Sequence, residues 1–323
     1  MNNDVKSELP TVECPALDCW FLTGPTASGK TRVGIELARR LGAEIISLDS
    51  MTLYRGMDIG TAKPTTEQRA AAVHHMLDVV APDEEYSVAR YVEQAHRLID
   101  DVRRRGHEVL FVGGTPLYLK SLLRGLFEGP PADWDFRRQV ENELRSVGQG
   151  ALYERLQQVD PVSAARIHPN DTRRQIRALE VCKATGQPIS HLQLQHEESR
   201  PAESCRVFVL QRPREELHRR IDLRIDAMFA TGLVDEVHGL TQNGHSLGQT
   251  ARQAVGYCEV LEHLAGRRDV EETRQRVKTR TRRFAKRQLT WFRGLSECRD
   301  VPVCDDAQPA DIAESVLRQG QMA

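Results

Sequence analysis

The sequence predicts an α/β fold in which a parallel sheet core is interrupted by an inserted all-helical domain. Apolar strands alternate with helical patterns over the first 125 residues, and this alternation is typical of a parallel sheet covered on both faces. The strand signal disappears from about 130 to 200 and returns at 205–210. Two domains in series would leave this last strand without a sheet, so we favour an insertion into the core.

The elements of the core follow from short apolar runs. Four strands are predicted in its first part, at 18–23, 44–48, 75–80 and 108–113, with helices after or between them. The segment 205–210 is predicted to supply the last strand, and the chain beyond it to be helical as far as a tail near Val301. The predicted domains are a core of residues 1–128 and 201–323 and a helical insertion of residues 129–200.

The composition fits this architecture. The chain has 323 residues, of which 40% are hydrophobic and 28% charged, enough for a core with a large insertion. It lacks an apolar run of about 18 residues, so no membrane span is expected, and its polar start contains no apolar signal core. The seven cysteines form no C-x-x-C pair, which argues against a zinc site and for free thiols. We expect a cytoplasmic protein with a disordered first dozen residues, and a monomer because no dimer surface is evident.

The segment 24–31 reads GPTASGKT and matches the phosphate-loop pattern G-x-x-x-x-G-K-[ST]. Its context also matches, because a predicted strand precedes it and a helical pattern from Val33 to Leu41 follows it. Backbone N–H groups, the helix dipole and the charge of Lys30 would bind two linked phosphates, and the Thr31 hydroxyl would bind Mg²⁺. The core is therefore predicted to be P-loop NTPase-like. The predicted diphosphate-binding residues are Gly24, Pro25, Thr26, Ala27, Ser28, Gly29, Lys30 and Thr31.

The strand at 108–113 lacks the carboxylate that a nucleotide hydrolase would carry. Most proteins with a phosphate loop bind ATP or GTP and hold Mg²⁺ with an acidic residue at the end of a second hydrophobic strand. Here the strand is followed by Gly114 and Thr115. This counts against ordinary nucleotide hydrolysis, although a kinase acting on a nucleotide or small metabolite remains the strongest alternative from another class.

Asp49 follows the second predicted strand and opens the segment 49–64, which reads DSMTLYRGMDIGTAKP. The loops after parallel strands gather at one edge of the sheet, so Asp49 should face the bound phosphates. It could hold Mg²⁺ through water, act as a general base, or only cap the following turn.

A strongly basic segment spans residues 273–287, with eight Lys or Arg among fifteen residues and no acid. Val277, Phe284 and Trp291 lie at roughly helical spacing, so we predict a packed helix with one basic face. Charged surface faces normally mix both signs, and we therefore favour contact with nucleic acid over a merely solvated face.

A smaller basic cluster lies in the predicted insertion. The segment 173–177 reads RRQIR and, with Arg137 and Arg138, could form the other side of a cleft that holds RNA. Each phosphate contact would add affinity that depends on salt and not on base sequence.

Four motifs together resemble the bacterial tRNA dimethylallyltransferases. They are GPTASGKT, DSMTLYRGMDIGTAKP, GGTPLYLKSLLRG at 113–125 and RQAVGY at 252–257, in this order and spacing. Those enzymes transfer a dimethylallyl group from its diphosphate to the exocyclic N6 amine of adenosine 37 in tRNA, releasing diphosphate. The resemblance implies a P-loop-type α/β core with a helical insertion, in agreement with the fold predicted above, and dimethylallyl diphosphate and tRNA as substrates.

The resemblance also implies roles for individual residues. The phosphate loop would hold the diphosphate leaving group with Mg²⁺, and Asp49 would be the general base on the adenosine amine. Thr115 and Arg224 match residues near the diphosphate and the substrate base, although its own sequence context would make Arg224 an ordinary surface arginine. The predicted tRNA-binding residues, from these motifs and the basic segments together, are Asp49, Ser50, Met51, Thr52, Thr115, Arg137, Arg173, Arg174, Gln175, Ile176, Arg177, Arg252, Gln253, Ala254, Val255, Gly256, Tyr257, Arg282, Arg283, Lys286 and Arg287.

This function requires the adenine to leave its stack in the anticodon loop. We expect the flipped base to enter a channel through the core from the side opposite the diphosphate substrate. A non-enzymatic RNA-binding module would not need the phosphate loop. An adenylate isopentenyltransferase would use the same chemistry on a free nucleotide, but the insertion and the basic segment favour tRNA.

Overall fold

The computed structural model describes residues 15–125, 129–194, 205–242 and 246–321. Its strands are β1 (Trp20–Thr23), β2 (Ala43–Leu48), β3 (His74–His75), β4 (Glu108–Gly113), β5 (Arg206–Gln211) and β6 (Cys298–Pro302). Within these ranges they form one parallel sheet in the order β3-β2-β4-β1-β5-β6. The strand that leads into the phosphate loop therefore lies inside the sheet, between β4 and β5.

Helices account for most of the remaining structure. Before the insertion they are α1 (Lys30–Leu41), α2 (Thr66–Ala71), α3 (Val88–Arg104) and α4 (Pro116–Arg124). Within it they are α5 (Trp134–Val147), α6 (Gln149–Val159), α7 (Pro161–Arg166), α8 (Thr172–Thr185) and α9 (Ile189–Leu194). After it they are α10 (Arg214–Ala230), α11 (Leu233–Leu240), α12 (Gln249–Arg252), α13 (Tyr257–Leu264), α14 (Val270–Arg293) and α15 (Pro309–Gln321). None of the described helices is long and apolar enough to cross a membrane.

Both faces of the sheet are covered by apolar packing. Because successive strand residues point to opposite faces, Phe21 packs in one cluster with Phe111. Its neighbour Trp20 packs in the other cluster with Leu110 and Phe208. Burial on both faces explains why the central strands are continuous apolar runs. The predicted α/β fold with a parallel sheet is confirmed.

The strand predicted at 75–80 is wrong over most of its length. β3 ends at His75, and Met76 and Asp78 have φ angles of +59° and +56°. This left-handed conformation interrupts an extended strand. The chain regains one parallel bridge between Tyr54 and Val80. The apolar side chains in this segment are buried or half-buried in spite of the turn, so their pattern concealed it.

The prediction that 205–210 is the last strand of the sheet is also wrong. β6 pairs in parallel with β5 at the edge of the sheet, and α15 follows it. Only Val301 among the five residues of β6 is buried. An edge strand of this kind contains no apolar run, and its sequence therefore resembles a polar tail.

The chain forms two compact units, one of Met1–Leu123 and Ser199–Ala323 and the other of Arg124–Glu198. The described part of the second unit contains helices alone, around a core of apolar side chains from all five. The domain boundaries predicted at 128–129 and 200–201 adjoin or lie in segments outside the described residues and stay predictions. The expectation for the first dozen residues also lies outside them.

Candidate active site

The phosphate loop, residues 24–31, joins the end of β1 to the start of α1. Its backbone is tightly curled, with positive φ angles at Gly24, Ala27 and Gly29. Glycine is needed at the first position because an added Cβ would lie 2.9 Å from the carbonyl oxygen of Leu210. The hydroxyl of Ser28 is buried and has no hydrogen-bond partner within the described structure. A buried hydroxyl without a partner is unfavourable, and a bound anion would supply the missing acceptor.

Among the described residues, Lys30 of the phosphate loop has no anionic hydrogen-bond partner. Its Nζ donates to the carbonyl oxygens of Gly24 at 2.9 Å and Pro25 at 2.7 Å. Burial, and then the charge of Arg224, lower the pKa of Lys30 to about 7, while the charge of Asp49 opposes this shift. The loop thus concentrates positive charge, which the charge of Asp49 partly offsets.

Asp49 and Thr115 are brought together at the ends of β2 and β4. Thr115 N–H donates to the carbonyl of Leu48 at 3.1 Å, and its hydroxyl accepts the N–H of Ser50 at 3.1 Å. The close approach depends on Gly113, where an added Cβ would overlap the backbone of Leu48. The two strand ends are therefore fixed to each other by backbone bonds.

The carboxylate of Asp49 faces the interior of the site. It accepts the N–H of Met51 at 2.9 Å, so it does close the following turn. Burial raises the pKa of Asp49, although the Met51 hydrogen bond and the charge of Lys30 oppose the shift. A carboxylate with a raised pKa is a better proton acceptor than an exposed aspartate.

Arg224 is not the ordinary surface arginine that its local sequence indicates. It extends from α10, with Nη1 3.5 Å from the hydroxyl of Thr26. Burial, and then the charge of Arg220, lower the pKa of Arg224. The cation is therefore held in the protein beside the phosphate loop.

Most of the functional side chains described above line one cavity of about 410 Å³. All three predicted catalytic residues line it, as do Lys30 and Thr31. The lining also includes the predicted tRNA-binding residues Ser50, Met51, Thr52, Gln253, Ala254, Val255, Gly256 and Arg287. Residues from four separate sequence motifs thus meet around one space.

The resemblance places Gln288 within a predicted RNA-contact range, 285–292, but sequence reasoning missed that it joins the phosphate loop to α14. Its side-chain oxygen accepts the N–H of Thr26 at 2.9 Å, and its amide nitrogen donates to the carbonyl of Gly114 at 2.6 Å. An added Cβ at Gly114 would lie 2.6 Å from that nitrogen, so the second glycine after β4 makes room for the contact. The only feature of the sequence that could have indicated this role is that Gln288 is a polar residue at a position of the helix that faces the core.

Glu236 and Lys63 were also missed, and both fix the segment 49–64. Glu236 accepts the backbone N–H groups of Asp58, Ile59 and Gly60 and the hydroxyl of Tyr257. It thereby links this segment to the RQAVGY motif. The side chain of Lys63 is 1% exposed and bonds Asp58 at 2.5 Å and Asp78 at 2.6 Å. Neither role could be inferred without knowing which distant residues become neighbours.

The basic segment 273–287 lies within α14, but its charges are partly neutralised. Lys278 pairs with Asp226 at 2.7 Å, Arg280 pairs with Glu259, and Arg282 pairs with Asp222. These acids come from α10 and α13. Over the ranges that the structure describes, the basic side chains of this segment without an ion pair are those of Arg276, Arg283, Lys286 and Arg287, which are exposed.

The predicted apolar stripe of α14 is only partly correct. Val277 is buried, but Phe284 and Trp291 are each 37% exposed. The buried positions are instead occupied by Thr273, Val277, Thr281, Ala285, Gln288 and Phe292. Apart from Val277 and Phe292, the residues on this buried face are small or polar, because the face adjoins other helices and the phosphate loop.

In the insertion, the predicted tRNA-binding residues divide into buried and exposed groups. Arg137 forms two hydrogen bonds of 2.8 Å to the buried carboxylate of Glu180, and Arg177 pairs with the same carboxylate. Gln175 and Ile176 are buried. Arg173 and Arg174 are exposed. Contact of these residues with tRNA stays a prediction.

The RQAVGY motif divides in the same way. Arg252 and Gln253 are exposed, Val255 is half-buried, and Ala254, Gly256 and Tyr257 are buried. The motif therefore presents two polar side chains outward and fixes itself to the core through its last residues.

Known proteins resemble this chain in both sequence and structure. The family model "IPP transferase" matches residues 52–295. A tRNA dimethylallyltransferase of Rhodopirellula baltica is 50% identical over 307 residues, which cover 93% of this chain and 92% of that protein. One from Geobacter sulfurreducens is 46% identical over 84% of this chain and 88% of that protein.

Solved structures give the same result. The tRNA isopentenylpyrophosphate transferase of Bacillus halodurans is 38% identical, with a TM-score of 0.67 over 94% of this chain and 96% of that one. A eukaryotic dimethylallyltransferase acting on tRNA is 28% identical, with a TM-score of 0.74 over 92% of this chain and 76% of that one. On its sequence motifs, its fold and these similarities, the chain belongs to the IPP transferase family.

Proposed function

We propose that this enzyme transfers a dimethylallyl group from dimethylallyl diphosphate to the N6 amine of adenosine 37 in tRNA, releasing diphosphate. The observation that carries the proposal is the cavity in which Lys30, Arg224 and Asp49 meet. Two cations beside a phosphate loop suit a departing diphosphate, and a carboxylate with a raised pKa suits a proton acceptor. The names of the relatives support tRNA as the acceptor.

The phosphate loop would stabilise the leaving group. As the bond between the allylic carbon and oxygen breaks, negative charge grows on the diphosphate. Backbone N–H groups, Lys30 and Arg224 are already held in place and need little rearrangement to receive that charge. Lys30 would exchange its two carbonyl partners for phosphate oxygens.

Asp49 would remove the proton from the attacking amine. An aromatic amine is a weak nucleophile whose proton becomes acidic only as the new carbon–nitrogen bond forms. The N6 proton would pass to the Asp49 carboxylate while the electron pair of the breaking bond leaves with the diphosphate. General base catalysis of this kind contributes about 10²- to 10⁴-fold in rate.

The donor groups also fit Mg²⁺. This ion takes hard oxygen ligands and is usually held by one or two protein groups together with substrate phosphates. The Thr31 hydroxyl and the Asp49 carboxylate line the same cavity as Lys30. Thr31 would hold the ion, which when bound would neutralise part of the charge on the diphosphate.

The exposed cations of α14 would bind the RNA backbone. Arg283, Lys286 and Arg287 face solvent, and Arg287 also lines the cavity. Phe284 lines the cavity with part of its ring exposed, and exposed aromatic rings commonly stack on unstacked bases. A flipped adenine would enter at this side.

Incubation of the protein with labelled dimethylallyl diphosphate and unmodified tRNA tests the proposal. We expect label on adenosine 37 and one diphosphate released for each group transferred. Label on a free adenine nucleotide but not on tRNA, or rapid ATP turnover with no transfer, would contradict it. The second outcome would favour the kinase alternative.

A further inference from the structure

Three arginines contact consecutive residues of the phosphate loop. Arg224 Nη1 lies 3.5 Å from the hydroxyl of Thr26. Arg220 Nε donates to the carbonyl oxygen of Ala27 at 2.9 Å, and Arg212 Nε donates to that of Ser28 at 2.9 Å. Arg224 reaches the cavity, whereas Arg212 and Arg220 do not line it. The latter two contact backbone carbonyl oxygens of the loop and lie outside the cavity lining.

The residue held by Arg220 has an unfavourable backbone conformation. Ala27 has a φ of +65° and is 2% exposed. The left-handed region is disfavoured for residues with a Cβ, so a non-glycine residue persists there only when surrounding contacts hold it. The hydrogen bond from Arg220 to its carbonyl is such a contact.

The direction of that carbonyl also sets the direction of an N–H group. The C=O of Ala27 and the N–H of Ser28 belong to one trans peptide and point in opposite directions. Because Arg220 holds the oxygen outward, the N–H is directed into the loop, where it bonds the carbonyl of Pro25 at 3.3 Å. Arg212 holds the next peptide in the same way. A charged donor on the oxygen also polarises the N–H of the same peptide.

The charges around the loop are incompletely balanced in the free protein. Glu216 is 3.8 Å from Arg220 and also binds Arg219 at 2.6 Å. Burial and the charge of Arg220 lower the pKa of both Arg212 and Arg224. A bound anion would relieve this mutual repulsion.

The geometry points to Arg220 as a positioning residue that holds Ala27 in its left-handed conformation and so keeps the phosphate loop shaped for diphosphate, with Arg212 supporting the next peptide. This inference rests on the proposed function, which places the diphosphate in that loop. It adds a role for an arginine that does not touch the ligand.

The test compares two neighbouring arginines on α10 that share the carboxylate of Glu216. Arg220→Met removes the contact with Ala27, and Arg219→Met is the matched control because the Arg219 side chain is 61% exposed and bonds Glu216 alone among the described residues. Calorimetric titration with inorganic pyrophosphate, with and without unmodified tRNA, measures the effect. We expect affinity to fall about 10- to 100-fold in Arg220→Met and within about twofold in Arg219→Met. The KM for dimethylallyl diphosphate should rise in the first variant while that for tRNA stays unchanged.

A second substitution separates positioning from a general charge effect. Ala27→Gly, added to Arg220→Met, should restore most of the pyrophosphate affinity because glycine adopts positive φ without strain. Equal affinities in the two arginine variants, or no recovery with glycine, would overturn the inference. If Arg220→Met does not fold, Arg220→Ala, which also removes the donor, provides the test, and unchanged affinity in that variant would overturn the inference too. Failure of the unmodified protein to bind pyrophosphate at all would instead overturn the diphosphate site, and the inference with it.

Discussion

The phosphate loop and the basic helix α14 both place cations around the same cavity, but they differ in the origin of their countercharges. In the loop, Lys30 donates to two backbone carbonyls, and burial, followed by the charge of Arg224, lowers its pKa to about 7. In α14, Lys278, Arg280 and Arg282 are matched by carboxylates from other helices. A run of cations in the sequence is therefore not a run of unpaired cations in space. The phosphate loop therefore has positive charge available for a bound anion, whereas in α14 only some of the cations do.

The largest expected effect concerns Asp49, which faces both regions. Asp49→Asn preserves the shape of the side chain but cannot accept a proton. We expect kcat to fall at least about 100-fold while pyrophosphate and tRNA still bind, because neither ligand depends on proton transfer. Single-turnover kinetics with titrations of each ligand measure this. Turnover close to that of the unmodified enzyme would remove Asp49 from the mechanism.

Lys30 should produce the next largest effect, together with a pH dependence. Bound diphosphate is anionic and raises the pKa of Lys30 from about 7, so binding at about pH 8 should take up protons. Affinity should therefore fall as the pH rises from about 7 towards the pKa of the bound state. Lys30→Met should bind pyrophosphate about 10- to 100-fold more weakly and take up fewer protons.

Calorimetry in two buffers of different ionisation enthalpy measures that proton uptake. Protonation of pyrophosphate itself is common to both proteins and cancels in the comparison. Equal proton uptake by the unmodified protein and Lys30→Met would show that Lys30 is already fully charged before the ligand binds.

Gln288 lies on α14 and bonds the phosphate loop, so its replacement should change diphosphate binding by the loop. Gln288→Met leaves the N–H of Thr26 and the carbonyl of Gly114 without their partner. We expect about 2 kcal/mol less stability against unfolding and weaker pyrophosphate binding, because the bond to the Gly114 carbonyl is buried and that to the Thr26 N–H is partly buried. Thr290→Ala, on an exposed position of the same helix, is the control for both measurements. An unchanged midpoint of denaturation would show that these contacts contribute little.

The smallest expected effect is a difference in tRNA affinity between substitutions of two adjacent arginines of α14. Arg283 is exposed and has no ion pair within the described ranges, whereas Arg282 binds Asp222 through two of its nitrogens. Arg283→Gln should weaken tRNA binding several-fold and reduce the slope of log affinity against log salt by about 0.7 to 0.9. Arg282→Gln should change tRNA binding less and lower the thermal stability instead. Salt titrations of tRNA affinity distinguish the two, and a larger loss in Arg282→Gln would reverse the interpretation of this helix.

The sequence alone predicted the features that depend on neighbouring residues. The phosphate loop, Asp49 after β2 and the central strands are all encoded within short segments, and the fold that they indicate is confirmed. The strand at 75–80 failed because Met76 and Asp78 turn the backbone while Met76 and Val80 stay buried. β6 was missed because an edge strand needs only one buried residue.

The parts of the site that escaped prediction depend on contacts between distant segments. Gln288 and Arg220 bond the phosphate loop from helices far along the chain. Arg282 was grouped with Arg283 because Asp222, its partner, lies on another helix. Hydrogen bonds and ion pairs of this kind have no sequence signature, since either partner alone is an ordinary polar residue.

The catalytic roles proposed above require the phosphate loop to bind the diphosphate of a prenyl donor. Steady-state inhibition of dimethylallyl transfer by inorganic pyrophosphate, at saturating tRNA, tests this claim most directly. We predict competitive inhibition against dimethylallyl diphosphate, which Lys30→Met weakens in proportion to its loss of pyrophosphate affinity. Inhibition that is competitive with tRNA alone, or that Lys30→Met leaves unchanged, would contradict the account.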